Sequence, residues 1–98
     1  MSAYLIANYT INDPDGYDAY VAAVGPTIFA HGGEILVAGP GSTPVEGAPG
    51  EVTVVLRFPS MAALQGWYDS PEYQAIIDLR RNSTDGHLVF AEQFVLPG

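Results

Sequence analysis

Lysine and cysteine are both missing from this chain, and arginine occurs only three times in 98 residues. Without cysteine there is no disulfide framework and no thiolate chemistry, which fits a reducing cytoplasm. With 11 acidic residues the formal charge is −8. A balance of that sign argues against DNA or RNA, because phosphate binding needs clustered cations. It equally disfavours anionic membrane surfaces. No apolar run approaches the ~18 residues that span a bilayer, and Met1-Ser2-Ala3-Tyr4 has no cationic stretch leading into an apolar one, so no leader is readable. The two histidines, His31 and His87, lie far apart and match no metal-ligand spacing. No Ser/His/Asp triad spacing and no phosphate-cradling glycine loop followed by lysine is present. No cofactor is implied.

What remains is a hydrophobic content of 48%, enough for a packed core in one domain spanning 1–98. A chain this short buries roughly 60–65% of its unfolded surface and gains from association. Ala3 to Ile11 alternates as a strand does, and Asn12-Asp13-Pro14-Asp15-Gly16 carries helix-start chemistry. From Tyr17 the spacing turns helical, with Tyr17, Tyr20, Val21, Val24, Ile28 and His31 on one stripe. Pro26 should kink that helix, and Gly32-Gly33 should end it. Glu34 to Ala38 and Val52 to Phe58 read as strands around a long Gly/Pro-rich loop, 39–51. A second helix in two parts follows, the first from Met61 to Tyr68. The second restarts at Ser70-Pro71 and runs to Arg81. Asn82 to Gly86 reads as a turn and His87 to Val95 as the last strand.

The order β-α-β-β-α-β is the split βαβ, or ferredoxin-like, arrangement. The expected fold class is α+β, with two helices on one face of a four-stranded antiparallel sheet. The strands are partly apolar on both faces, as with Val55 and Ile6, so the uncovered face is expected to meet a second copy.

Several features occur together in a recognisable order: Asp13-Pro14 before Tyr17 and Tyr20, Gly32-Gly33, Glu46-Gly47, Phe58-Pro59-Ser60, the block Trp67-Tyr68-Asp69-Ser70-Pro71-Glu72-Tyr73, and Arg80. On these the chain resembles the DUF1330 family, a domain of unknown function within the dimeric α+β barrel superfamily. It departs at Leu64 and Gly66, and Val37-Ala38 lacks a basic residue before the loop. The resemblance implies a homodimer of ferredoxin-like protomers forming a dimeric α+β barrel. It implies no particular reaction, since superfamily relatives include cofactor-independent monooxygenases, isomerases and haem-binding enzymes.

Arg80 is the residue of greatest interest. With Tyr73, Ile76 and Ile77 it shares one helical face, and that face is apolar, so the guanidinium points inward. It needs a partner, either a ligand carboxylate or a structural network through Asp69, Glu46 or helix-end carbonyls. Arg81 should pair with Asp78 in solvent. Arg57 faces the sheet's other side and is expected to bridge to Glu92 or Glu34 across a dimer, or to serve as a cavity cation. His31 is either a helix-end histidine or a general base. Trp67, Tyr68 and Tyr73 bracket the helix break as core or as a pocket mouth. Glu46 is a lid carboxylate or a solvated charge. Two readings stay open. In one, the chain binds or transforms a small organic acid or polar aromatic in a pocket between the second helix and the sheet. In the other, it is a non-catalytic metabolite-binding or protein-interaction dimer in which Arg80 is structural.

Overall fold

The computed structural model describes residues 1–98. β1 (Ala3–Ile11) leads into α1 (Pro14–Ala30), followed by β2 (Glu34–Gly39) and β3 (Val52–Phe58). Three short helices come next, α2 (Met61–Tyr68), α3 (Pro71–Gln74) and α4 (Ile77–Arg81), before β4 (Thr84–Glu92). All strand pairs are antiparallel and the sheet order is β2-β3-β1-β4. That is the ferredoxin-like topology.

The sheet is not closed. β2 and β4 are unpaired edges with β3 and β1 between them, so the expected barrel is corrected to an open four-stranded sheet. Nor are there two helices. The helical layer has four segments, because Asp69-Ser70 separates α2 from α3 and Ala75-Ile76 separates α3 from α4. The first break has local causes. The Ser70 hydroxyl donates to the Trp67 carbonyl at 2.7 Å and accepts from the Tyr73 amide at 3.2 Å, and Pro71 supplies the pre-set first turn. The second has no sequence punctuation.

α1 starts on the Asp13 cap, whose carboxylate accepts from the Gly16 amide at 3.3 Å. It runs through Pro26 without ending. It stops in a paired-glycine cap. Gly32 donates to Phe29 and Gly33 to Ile28, the reciprocal bonds of a Schellman ending. Gly32 has φ +78°, which favours glycine. At Gly33 a β-carbon would lie 2.6 Å from Ile28 and 2.8 Å from the Phe58 ring.

The alternation of β1 sets the two faces. Ala3, Leu5, Ala7 and Tyr9 are buried beneath the helices, with Val52, Leu56 and Phe58 of β3. The opposite face carries Tyr4, Ile6 and Asn8 across from Arg57, Val55 and Thr53. β4 begins at Thr84, three residues before its expected start, and ends at Glu92, so His87 is a strand residue opposite Asn8 and not part of a turn. Gly86 permits this. A β-carbon there would come within 2.6 Å of the Tyr9 Cα, so only glycine lets β4 lie against β1 at that rung.

Asn8 also clasps the far end of the loop 40–51. Its amide nitrogen donates to the carbonyls of Gly50 and Val52, and its oxygen accepts from the Gly50 amide at 2.7 Å. The Glu51 carboxylate accepts from the Ile11 amide at 3.1 Å. At the near end, the Ser42 and Thr53 hydroxyls are hydrogen-bonded.

Candidate functional site

α1 leans on α3 and α4 and leaves a slot above the sheet. The slot has a volume of about 150 Å³ and crosses all four strands, from Ile35 of β2 past Leu56 and Leu5 to Leu88 of β4. Trp67 and Arg80 border it from the second helical region. The expected pocket between the second helix and the sheet is therefore relocated. Its roof is α1, and the later helices supply only those two side chains. The physical reason is packing. α2 sits directly on β1 and β3 through Leu64 and Trp67, both fully buried, which leaves no space there.

Fourteen of the sixteen lining residues are hydrophobic, and Arg80 is the one charged group among them. It is half-buried. Its single hydrogen bond runs from Nε to the Tyr73 hydroxyl oxygen at 3.3 Å. The chain's ion pairs are His31–Glu72, Arg57–Glu34 and Arg81–Asp78, so no carboxylate lies within 4.0 Å of the Arg80 guanidinium. The structural network through Asp69 or Glu46 is not formed. Asp69 accepts from Gln65 at 3.0 Å, and Glu46 stands exposed in the loop. Burial works to lower the Arg80 pKa, but the phenolic oxygens of Tyr73, Tyr20 and Tyr68 outweigh it and the net direction is up. The guanidinium stays charged, with both terminal nitrogens free to donate.

Four phenols nearby form two hydrogen-bonded pairs. Tyr9 and Tyr17 meet at 2.8 Å, and Tyr20 and Tyr73 at 2.9 Å. Each pair has two hydroxyl protons and consumes one between its members, so one donor per pair is left over. Burial, then the hydrogen bond and charge of the paired phenol, pushes the Tyr9 pKa far above its ordinary value. For Tyr20 burial again comes first, followed by Tyr73. Both remain neutral donors. The sign for stability follows from the direction. Below pH 10, the ordinary phenol value, the contribution is complete. Above it the unfolded chain ionises while the folded one does not, so stability falls with pH. The limiting slope is about 1.4 kcal/mol per pH unit for each phenol. Urea melts through the alkaline range should show this fall, and Tyr20→Phe should make it shallower.

Tyr73, the partner of Arg80, belongs to an aromatic cluster. The Trp67 and Tyr73 rings are 4.1 Å apart, and Tyr68 packs edge-on to Phe90 at 5.4 Å. The Trp67 indole donates to the Thr27 hydroxyl at 3.0 Å, tying α2 to α1. Of the expected ligand-binding residues, Arg80 and Trp67 line the slot; Tyr73 accepts from Arg80 and Tyr68 packs on Tyr73, but neither lines it. The structure leaves His31 at the end of α1, 4.0 Å from Glu72 and outside the slot. It leaves Arg57 on the opposite face, paired with Glu34 of its own chain at 2.6 Å. Asp69 and Glu46 also lie outside the slot. Tyr9, Tyr17 and Tyr20 were legible as apolar-face residues but not as hydroxyl donors. The available signal was that a buried tyrosine hydroxyl must find a partner. No group of His, Cys, Asp or Glu side chains gathers as a metal site.

The family described as "Domain of unknown function (DUF1330)" matches residues 2–94. The chain belongs to the DUF1330 family. No curated protein matches it. Among solved structures, this DUF1330 chain resembles RPA0582, a protein of unknown function from Rhodopseudomonas palustris. That match has a TM-score of 0.73 at 18% identity, over 97% of this chain and 84% of the other. A dimeric ferredoxin-like protein of unknown function from Thermobifida fusca matches with a TM-score of 0.66 at 18% identity, over 95% and 92%. SnoaB, a cofactor-independent oxygenase from Streptomyces nogalater, matches with a TM-score of 0.68 at 9% identity, over 99% and 98%. At such identities the likeness of the DUF1330 chain to these proteins is one of fold. No helix is long and apolar enough to cross a membrane.

Proposed function

We propose that this protein binds a small organic acid in the slot beneath α1, with the carboxylate on Arg80 and the carbon skeleton against the apolar lining. One observation carries the reading. A half-buried guanidinium borders an apolar cavity with no carboxylate of its own chain within 4.0 Å. A cation so placed is costly unless something pairs with it, and a bidentate carboxylate fits its free fork. The spare phenol protons supply further donors to the same anion. A volume of about 150 Å³ suits a modest skeleton, since an engineered apolar cavity of about that size takes benzene. Binding is favoured over catalysis because His31, the candidate base, stands outside the slot. Titration with carboxylic acids should raise the melting temperature by mass action, by roughly 10–20 °C at a hundredfold excess over Kd. A flat response across aliphatic and aromatic acids would sink the idea.

The uncovered sheet face supports a second part of the proposal, a homodimer. Val37, Val55, Ile6 and Val89 align in one rung across all four strands. Three of them are exposed aliphatics, at 41–53%. A continuous aliphatic band of this kind marks an association surface, and the Thermobifida fusca relative is described as dimeric. Each sheet keeps its own free edges in this pairing. Light scattering at micromolar concentration should give twice the chain mass, and Val89→Asp should give a folded monomer. A wild-type monomer would remove the dimer.

A further inference from the structure

The slot is chemically graded along its length. At the β4 end it holds Arg80, Tyr9, Tyr17 and Tyr20. Through its middle the lining is aliphatic, from Val24 and Ile28 above to Val54 and Leu56 below. At the β2 end the lining residues are no longer buried. Val21 is 55% exposed and Ile35 is 42% exposed, with Ala38 also exposed and Gly25 half-exposed. These four residues form the slot's mouth, between one turn of α1 and the edge strand β2. Charge is thus fixed at one end, and an apolar opening lies at the other. Strands lie about 4.8 Å apart, so a path from β4 to β2 is about 14 Å long.

Building on the acid-binding reading above, we infer that the slot selects straight-chain aliphatic carboxylates, with the head group at Arg80 and the tail directed out past Gly25 between α1 and β2. Branching is disfavoured because about 150 Å³ spread along a path of about 14 Å leaves a thin cross-section, and the tail half offers no polar partner for a hydroxylated chain. Gly25 matters most at the mouth. A β-carbon there meets only the edge of the Phe29 ring at 3.8 Å, an ordinary contact, so space exists where the tail passes.

The test is calorimetric titration with a homologous series of carboxylates, from acetate through butanoate and hexanoate to decanoate, each below its micelle threshold. Wild type should tighten by about fourfold per methylene until the tail leaves the mouth. Gly25→Leu fills the mouth on a helix that tolerates leucine well, so it should cut the series short, leaving the shorter acids bound and flattening the gain for the longer ones. Val21→Asp, on an exposed position, should weaken the long acids selectively and serves as a check should Gly25→Leu not fold. If acids bind but affinity does not grow with chain length, or if neither mouth variant alters the series, the tail route is wrong while the Arg80 reading stands. If no acid binds, the reading it rests on fails as well.

Discussion

Arg80→Met should abolish the acid-dependent rise in melting temperature and, without ligand, melt no lower than wild type. The two halves of this expectation separate the alternatives left open by the sequence. A structural arginine, paired with a carboxylate, would cost about 3–5 kcal/mol when truncated. Here the side chain makes one hydrogen bond of 3.3 Å and no ion pair. Methionine has similar reach, suits an apolar wall and removes a partly desolvated charge. The unliganded variant should therefore gain on the order of 1 kcal/mol, or about 4–8 °C in a domain of this size. Tyr73 keeps Tyr20 as a partner at 2.9 Å, so no buried hydroxyl is stranded. Scanning calorimetry with and without a bound acid reads both effects. A large loss of stability in the unliganded variant would return Arg80 to a structural role.

The second large effect is expected at Trp67, the chain's one tryptophan. It is fully buried, packs on Phe58 and Tyr73, and joins α2 to α1 through Thr27. Trp67→Ala should cost about 3–5 kcal/mol, since a cavity of that size cannot collapse onto a sheet already in register. Small domains have only about 5–15 kcal/mol in hand, so the melting temperature should drop by at least about 12 °C. Trp67→Phe keeps an aromatic platform and loses the bond to Thr27, whose hydroxyl still donates to the Val24 carbonyl. That variant should cost about 1–2 kcal/mol. Equal losses from the two variants would show that ring volume is not what matters.

The strands β1, β2 and β3 could be read from local pattern because alternation and turn chemistry agreed with their pairing. β4 could not. Asn82 to Gly86 has turn composition, yet Thr84, Asp85 and Gly86 pair with Ile11, Thr10 and Tyr9. Partnership with a strand more than seventy residues away outweighed local preference. The opposite happened at Pro26, where a breaker left α1 continuous. The gap between α3 and α4 had no local signal, since Gln74-Ala75-Ile76-Ile77 reads as helix. Tyr73 and Ile77 are both buried on either side of it. At the site, helical spacing put Arg80 on the apolar face because periodicity reports orientation directly. The identity of its neighbours depended on α1 crossing above the sheet, which periodicity does not report. The open sheet and the in-chain Arg57–Glu34 pair belong to the same class of tertiary facts.

The Asn8 clasp separates the ends of the 40–51 loop from its middle. Ser42 is held at one end and Gly50 with Glu51 at the other, while the arc between them, Val45 included, stands in solvent. The length of that arc is therefore free to drift. Doubling it would cost only about 0.6 kcal/mol of closure entropy, without disturbing β1, β3 or the slot. Insertions and deletions among proteins of this fold should accumulate there, and a reporter peptide spliced at Val45 would ride on the domain as passive cargo.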